Sequence, residues 1–243
     1  AREYDINGEA SAERLASGEV IMQVKREWCR PPLLRGEVLP DASSMAEGWE
    51  HLRPIWKEGG GKLELWCALE KSVISVGEDG TERFAYRPAV GSYAIGVDVA
   101  GGTGGQHSSF SVMSIWNCKT GEQVGEWRSN TVVPQDLAIK FVVLAKWFWD
   151  AFGVPEVTGP GGQQFLNRCL DCGYYNLIRR GKSEVEVSDT RTAKLGYANT
   201  KGVEDILGTL LDALATGDAK LRSAVVADEL LQYQYKSGKV VHI

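Results

Sequence analysis

The chain has 243 residues, of which 43% are apolar and 24% charged, with 28 glycines and 8 prolines. These are globular values and argue against a disordered, collagenous or membrane chain; the length suits one large domain or two small ones. The net charge of −5 means that the chain as a whole is not a basic nucleic-acid binder, so attraction to a polyanion needs a local patch or a bound cation.

The longest apolar runs, such as 141–145, fall far short of the roughly 18–20 residues that span a bilayer. No basic-then-apolar stretch opens the sequence, so no signal peptide is expected. The five cysteines are odd in number and irregular in spacing, which suits a reducing compartment. Cys169-Leu-Asp-Cys172 is a single CxxC with no second pair, and the chain has three histidines; it reads as buried thiols on a helix or as half of a zinc site.

Composition changes near residue 90. Before it, the sequence is irregular and acidic, with Arg30-Pro-Pro, then Gly59-Gly60-Gly61, then a hairpin. Leu63–Leu69 and Ser72–Val76 are strand-like, and Glu78-Asp79-Gly80 supplies a turn. After it comes an ordered α/β domain. Tyr93–Val99, Phe110–Trp116 and Gln123–Asn130 read as three antiparallel strands, the last two joined by Lys119-Thr-Gly-Glu122. Pro134 opens a helix at the position where its missing N–H costs nothing. Apolar residues then recur at helical spacing as far as Gly153. Val154–Thr158 is a short strand, Gly161–Cys172 a helix, Tyr174–Ile178 a strand and Lys201–Thr216 a second amphipathic helix. A meander followed by alternating helices and strands is the plan of the ribonuclease H-like fold. Doubly wound nucleotide-binding folds begin instead with βαβ units. The expected architecture is therefore an α/β, ribonuclease H-like mixed sheet, a three-stranded antiparallel meander plus parallel strands, flanked by helices.

Two acids stand out. Asp98 lies in Gly96-Val-Asp-Val-Ala-Gly-Gly102, inside an otherwise apolar strand. A carboxylate there is costly unless paired or bound to a cation, and the glycines that follow permit close approach of a ligand. The alternative is an acid that caps the turn after the strand. Glu156 lies in Val154-Pro-Glu-Val-Thr-Gly-Pro-Gly-Gly162, again on a short strand before a glycine-rich helix start; alone, it reads equally as a solvated turn residue. In this strand order the two strands are neighbours and the carboxylates converge. Two carboxylates in contact repel unless a divalent cation lies between them. Hard oxygen ligands without a His/Cys set favour Mg²⁺ or Mn²⁺.

Residues 62–243 resemble the nuclease domain of tailed-bacteriophage DNA-packaging terminase large subunits. The resemblance is carried by Lys62–Ala68 and Tyr93–Gly102, by Phe110-Ser-Val112, by Glu156 with Gly159 and Gly161, and by Gly173-Tyr174. Thr192–Thr200 and Asp228-Glu-Leu230 complete the ordered set. It implies a metal-dependent endonuclease that cuts concatemeric viral DNA during genome packaging by a two-metal mechanism. Asp98 would bridge two Mg²⁺ or Mn²⁺ ions and Glu156 would bind one. The implied partners are double-stranded DNA, the portal and the terminase small subunit, in the host cytoplasm and away from membranes. Residues 1–61 would be a linker or the end of a preceding domain. Gly59-Gly-Gly-Lys62 lacks the GxxxxGK[ST] spacing, so the family's ATPase domain is expected to be absent.

The sequence departs from the family pattern at two points. Ser109 stands where relatives often carry an Asp before the second strand. The family's third essential acid follows its last strand, here taken as Lys239–Ile243, and is expected beyond residue 243. Asp189, Asp205, Asp228 and Glu229 are the in-chain acids of that region, and none is chosen as the third ligand.

For DNA contacts, residues 168–201 carry a net positive charge in an acidic chain. Arg179, Arg180, Lys182 and Lys194 are the candidate phosphate contacts, which position DNA without reading its sequence; the same cations also read as a solvated loop. His107 could assist near a phosphate or be a plain loop residue. Two further readings remain: a sugar-kinase or actin-like ATPase, because Gly96–Thr103 resembles that group's first phosphate loop, and a catalytically weak docking module of the packaging complex.

Overall fold

The structure, a computed structural model, describes residues 11–14, 20–23, 26–38, 54–55, 62–105, 108–179, 195–197, 203–236 and 239–242. Thirteen strands and four helices occur among them. The strands are β1 (Ser11–Arg14), β2 (Val20–Gln23), β3 (Leu34–Val38), β4 (Pro54–Ile55), β5 (Leu63–Leu65), β6 (Leu69–Val76), β7 (Glu82–Pro88), β8 (Tyr93–Asp98), β9 (Ser111–Asn117), β10 (Glu122–Ser129), β11 (Phe152–Pro155), β12 (Tyr233–Lys236) and β13 (Lys239–His242). The helices are α1 (Pro134–Trp147), α2 (Gly159–Asp171), α3 (Val203–Thr216) and α4 (Ala224–Leu230).

The main sheet has seven strands in the order β11-β8-β9-β10-β5-β3-β4, and only the β11–β8 pair is parallel. The expected meander is β8-β9-β10. Strict alternation sets its faces: Tyr93, Ile95 and Val97 of β8 and Met113 and Ile115 of β9 point into the core with α1 and α2. Five consecutive residues of β10, Gln123–Trp127, are buried, because the segment carrying α4 covers the other face of that strand.

α1 presents ten buried residues and packs on α2. Phe141 anchors this contact, its ring centroid 5.4 Å from those of Phe165 and Tyr174. Pro134 starts α1, with Asp136 in its first turn and Lys146 in its last, both matched to the helix dipole. The helix stops at Trp147, short of the expected Gly153, because Trp149 and Asp150 adopt left-handed backbone conformations with φ of 59° and 55°. Arg87 of β7 closes this end. Its guanidinium donates to the carbonyls of Lys146 and Trp147 and lies 3.6 Å from the centre of the Trp149 ring.

Several expectations shift. The run 63–69 divides: β5 joins β10 in the main sheet, and Leu69 begins a separate two-stranded hairpin, β6–β7, around the turn at 78–80. Residues 174–178 form no ladder strand; Leu177 makes a single parallel bridge to Gly153. The final strand, β13, is not in the main sheet. It pairs with β12 in a second sheet of order β1-β2-β12-β13. Strands from residues 1–61 therefore enter both larger sheets.

Candidate active site

β8 and β11 run side by side with Pro155 opposite Val97, and the Glu156 amide donates to the Val97 carbonyl at 2.8 Å. The next pair in register is Asp98 and Glu156. In parallel neighbours at equal register, side chains share a face about 4.8 Å apart. Val97 and Pro155 face the core, so Asp98 and Glu156 face the opposite side together. The neighbouring strands expected from the sequence are observed as a parallel pair.

The surrounding loops are held tightly. Gly102, at φ +70°, lies where a Cβ would come 2.1 Å from the Val132 carbonyl oxygen. The Ala100 amide donates to Ser111 Oγ at 2.9 Å and the Gly104 amide to the Asn130 carbonyl at 2.9 Å. The glycine loop after Asp98 is thus fastened to the starts and ends of β9 and β10. On the other side, a Cβ at Gly162 would lie 2.4 Å from Val157 Cα and 2.8 Å from the Glu156 carbonyl oxygen. Only glycine lets α2 approach the Glu156 backbone so closely.

Asp98 remains open to solvent, yet its carboxyl is raised above the ordinary carboxylate range. Loss of water on its protein side is the main cause, followed by the negative charges of Glu156 and then Glu229; a hydrogen bond from the Val99 amide opposes them. The site is one of concentrated negative charge.

Glu229, one of the acids weighed and not chosen as a third ligand, adds its charge to that felt by Asp98. It is exposed on α4. A buried polar network docks this helix onto β10. Gln123, 0% exposed, accepts from the amides of Arg222 at 3.0 Å and Ser223 at 2.9 Å, and donates to Ser114 Oγ at 3.1 Å and Glu126 at 3.4 Å. Ser223 caps α4 by accepting from the Val226 amide. Burial raises the Glu126 carboxyl, against hydrogen bonds from Ser223 and Gln123 and the nearby Arg128. The Ser-first start of α4 is legible in sequence; its docking on β10, which brings the Glu229 charge within reach of Asp98, depends on this long-range network and is not.

Tyr197 flanks Glu156 on the side away from Asp98, through a parallel bridge and the Val157 amide to Tyr197 carbonyl bond at 2.8 Å. Arg179 is exposed and bridges Leu195 in that same segment. Arg180, Lys182, Lys194 and His107 lie outside the described residues, as does Asp189; of Asp205 only the backbone, in α3, is described. Ser109 is exposed just before β9. Cys169 and Cys172 are buried free thiols, both raised by burial. No helix among the described residues is long and apolar enough to cross a membrane.

No family model matches the chain, and no curated protein matches it. Solved structures do. The large terminase nuclease from the thermophilic phage G20c, with bound cobalt, superposes with a TM-score of 0.50 at 16% identity, over 76% of this chain and 79% of that one. The fold is that of a large-terminase nuclease. The same phage's nuclease with bound magnesium gives a TM-score of 0.47 at 16% identity over 76% and 79% of the two chains. The nuclease domain of the Thermus phage P74-26 large terminase gives 0.44 at 17% identity over 76% of each. The mixed α/β, ribonuclease H-like architecture read from the order of elements is the architecture observed.

No group of three or more His, Cys, Asp or Glu side chains placed to hold a metal occurs among the described residues. Among the described residues, Asp98 and Glu156 are a pair of hard oxygen donors that could hold a cation. The pair fits Mg²⁺, which keeps several waters and takes one or two protein carboxylates plus substrate phosphates.

Proposed function

We propose that this protein is a divalent-metal-dependent DNA endonuclease of the terminase type, hydrolysing phosphodiester bonds of concatemeric viral DNA during genome packaging. The observation that carries the reading is the position of Asp98 and Glu156, each one residue past the Val97–Pro155 pair of two adjacent parallel strands. A terminase nuclease of the same fold has been solved with cobalt bound, which supports a divalent ion here.

Asp98 and Glu156 would hold the cation. Bound Mg²⁺ or Mn²⁺, expected as two ions, would polarise the phosphate and supply a nucleophile from water at neutral pH. The chain's own part is to present two carboxylates pressed together so that a cation relieves their repulsion. No histidine base is required. Arg179, with Arg180, Lys182 and Lys194, would neutralise phosphates and set the strand's position. Double-stranded DNA, the portal and the small subunit are the partners of this reading, and the host cytoplasm its place.

The test is cleavage of supercoiled plasmid with Mn²⁺ or Mg²⁺, with EDTA, Asp98→Asn and Glu156→Gln as controls. Nicking and linearisation that need the metal and vanish in both variants are expected. Cleavage retained in both variants would refute the site.

A further inference from the structure

A groove of about 360 Å³ opens at the same end of the sheet as the acids. Lys62, Arg128, Ser129, Thr131 and Phe110 line it, together with Glu64. Its position follows from register. Asp98 pairs with Val112, and Val112 with Arg128. The Arg128 amide donates to the carbonyl of Lys62, the residue before β5, at 3.3 Å. Glu156, Asp98, Val112, Arg128 and Lys62 thus form one row across five neighbouring segments. At about 4.8 Å per strand, Arg128 lies about 10 Å from Asp98 along this row and Lys62 about 14 Å.

The charge balance of the groove favours an anion. Lys62 is exposed and makes no ion pair with a described residue; its ammonium donates to Ser129 Oγ at 2.9 Å and Thr131 Oγ1 at 3.4 Å. Held by hydroxyls, it is aimed without being neutralised. Glu64 is answered by Arg35 at 3.1 Å. Arg128 lies 3.8 Å from Glu126, which is 2% exposed and so meets Arg128 only from beneath, leaving the outer side of the guanidinium to solvent. At the rim, Phe110 is 50% exposed, an aromatic surface on which a base or sugar can rest. The loop after Asp98 reaches this groove directly, through the Gly104 amide on the Asn130 carbonyl.

We infer that this groove binds the phosphodiester backbone of a nucleic-acid strand, with Lys62 and Arg128 on its phosphates and Phe110 against a base or sugar, about 10–14 Å from Asp98. This rests on the nuclease reading, and it adds a contact surface on the opposite side of the acids from Arg179. The strand crosses the end of the sheet, and the acids lie under its path.

The test is fluorescence anisotropy of a labelled 20-base-pair duplex and the matching single strand, in Ca²⁺ without Mg²⁺ or Mn²⁺, across a salt series. Lys62→Gln and Phe110→Ala are compared with the wild type, with thermal unfolding to check folding. Lys62→Gln should weaken binding roughly three- to tenfold near 0.1 M salt and lower the salt slope by about one. Phe110→Ala should weaken binding with the slope unchanged. Wild-type binding with both variants unaltered in affinity and slope would overturn the groove and leave the nuclease reading standing. No binding by the wild type, together with no plasmid cleavage, would overturn both.

Discussion

Gln123→Ala removes the centre of the network that docks α4. The Gln123 side chain is 0% exposed and makes four hydrogen bonds, two as acceptor from the Arg222 and Ser223 amides and two as donor to Ser114 and Glu126. Arg222 and Ser223 are 6% and 3% exposed, so their amides lose a partner that bulk water does not replace. Each stranded buried donor costs about 1–3 kcal/mol. A water entering the space left by the carboxamide recovers part of this, so the expected loss is about 3 kcal/mol. For a chain of this size that lowers Tm by roughly 6–12 °C. Thermal unfolding followed by near-ultraviolet circular dichroism measures it, and hydrogen exchange at Arg222 and Ser223 locates it. Gln123→Glu, which keeps the acceptor but sets a second carboxylate against Glu126, should also destabilise at neutral pH and recover as pH falls. A Tm drop below about 1 °C in Gln123→Ala, with Arg222 and Ser223 still protected, would refute the network as the dock of α4.

Asp98→Asn should raise stability in EDTA at neutral pH. The folded chain holds the Asp98 proton to higher pH than the unfolded chain, so wild-type stability falls as pH rises from the ordinary carboxylate range through the raised folded value. The Tm gap between variant and wild type should therefore be near zero at about pH 3 and grow to a plateau above that window; a gap independent of pH would count against it. Gly162→Ala should cost about 1–3 kcal/mol and shift the Glu156 backbone, because the added Cβ meets Val157 Cα and the Glu156 carbonyl at once. It should lose cleavage activity while unfolding cooperatively, and full activity would remove the constraint. Arg87→Ala should cost about 1–3 kcal/mol by stripping the α1 carbonyl contacts and the Trp149 stacking, with faster exchange confined to the end of α1 and the β6–β7 hairpin.

What the sequence made legible was local or strictly periodic. The alternation of β8 and β9, the turn at 119–122 and Pro134 at the head of α1 each follow from short-range chemistry. Asp98 and Glu156 were legible because an acid in an apolar strand is costly and therefore conspicuous, and because the order of elements makes their strands neighbours. The end of α1 was not legible: Phe148, Trp149, Ala151 and Phe152 continue an apolar pattern, and the left-handed turn at Trp149 and Asp150 is accompanied by contacts from Arg87, some sixty residues away. That the Glu229 charge reaches Asp98 was not legible for a similar reason. Its approach to Asp98 is set by Gln123 binding Ser223 across 100 positions of sequence, and no local signal encodes that contact. The groove at Lys62 likewise exists only once β5 has paired with β10.

The central claim is that Asp98 and Glu156 form one divalent-cation centre. Its most direct test is Mn²⁺ binding followed by electron paramagnetic resonance on the wild type, Asp98→Asn and Glu156→Gln, with no DNA present. The account predicts that the wild type removes free Mn²⁺ from solution, that Mg²⁺ competes, and that each variant loses most of this binding while remaining folded. Equal Mn²⁺ binding by all three proteins would contradict it.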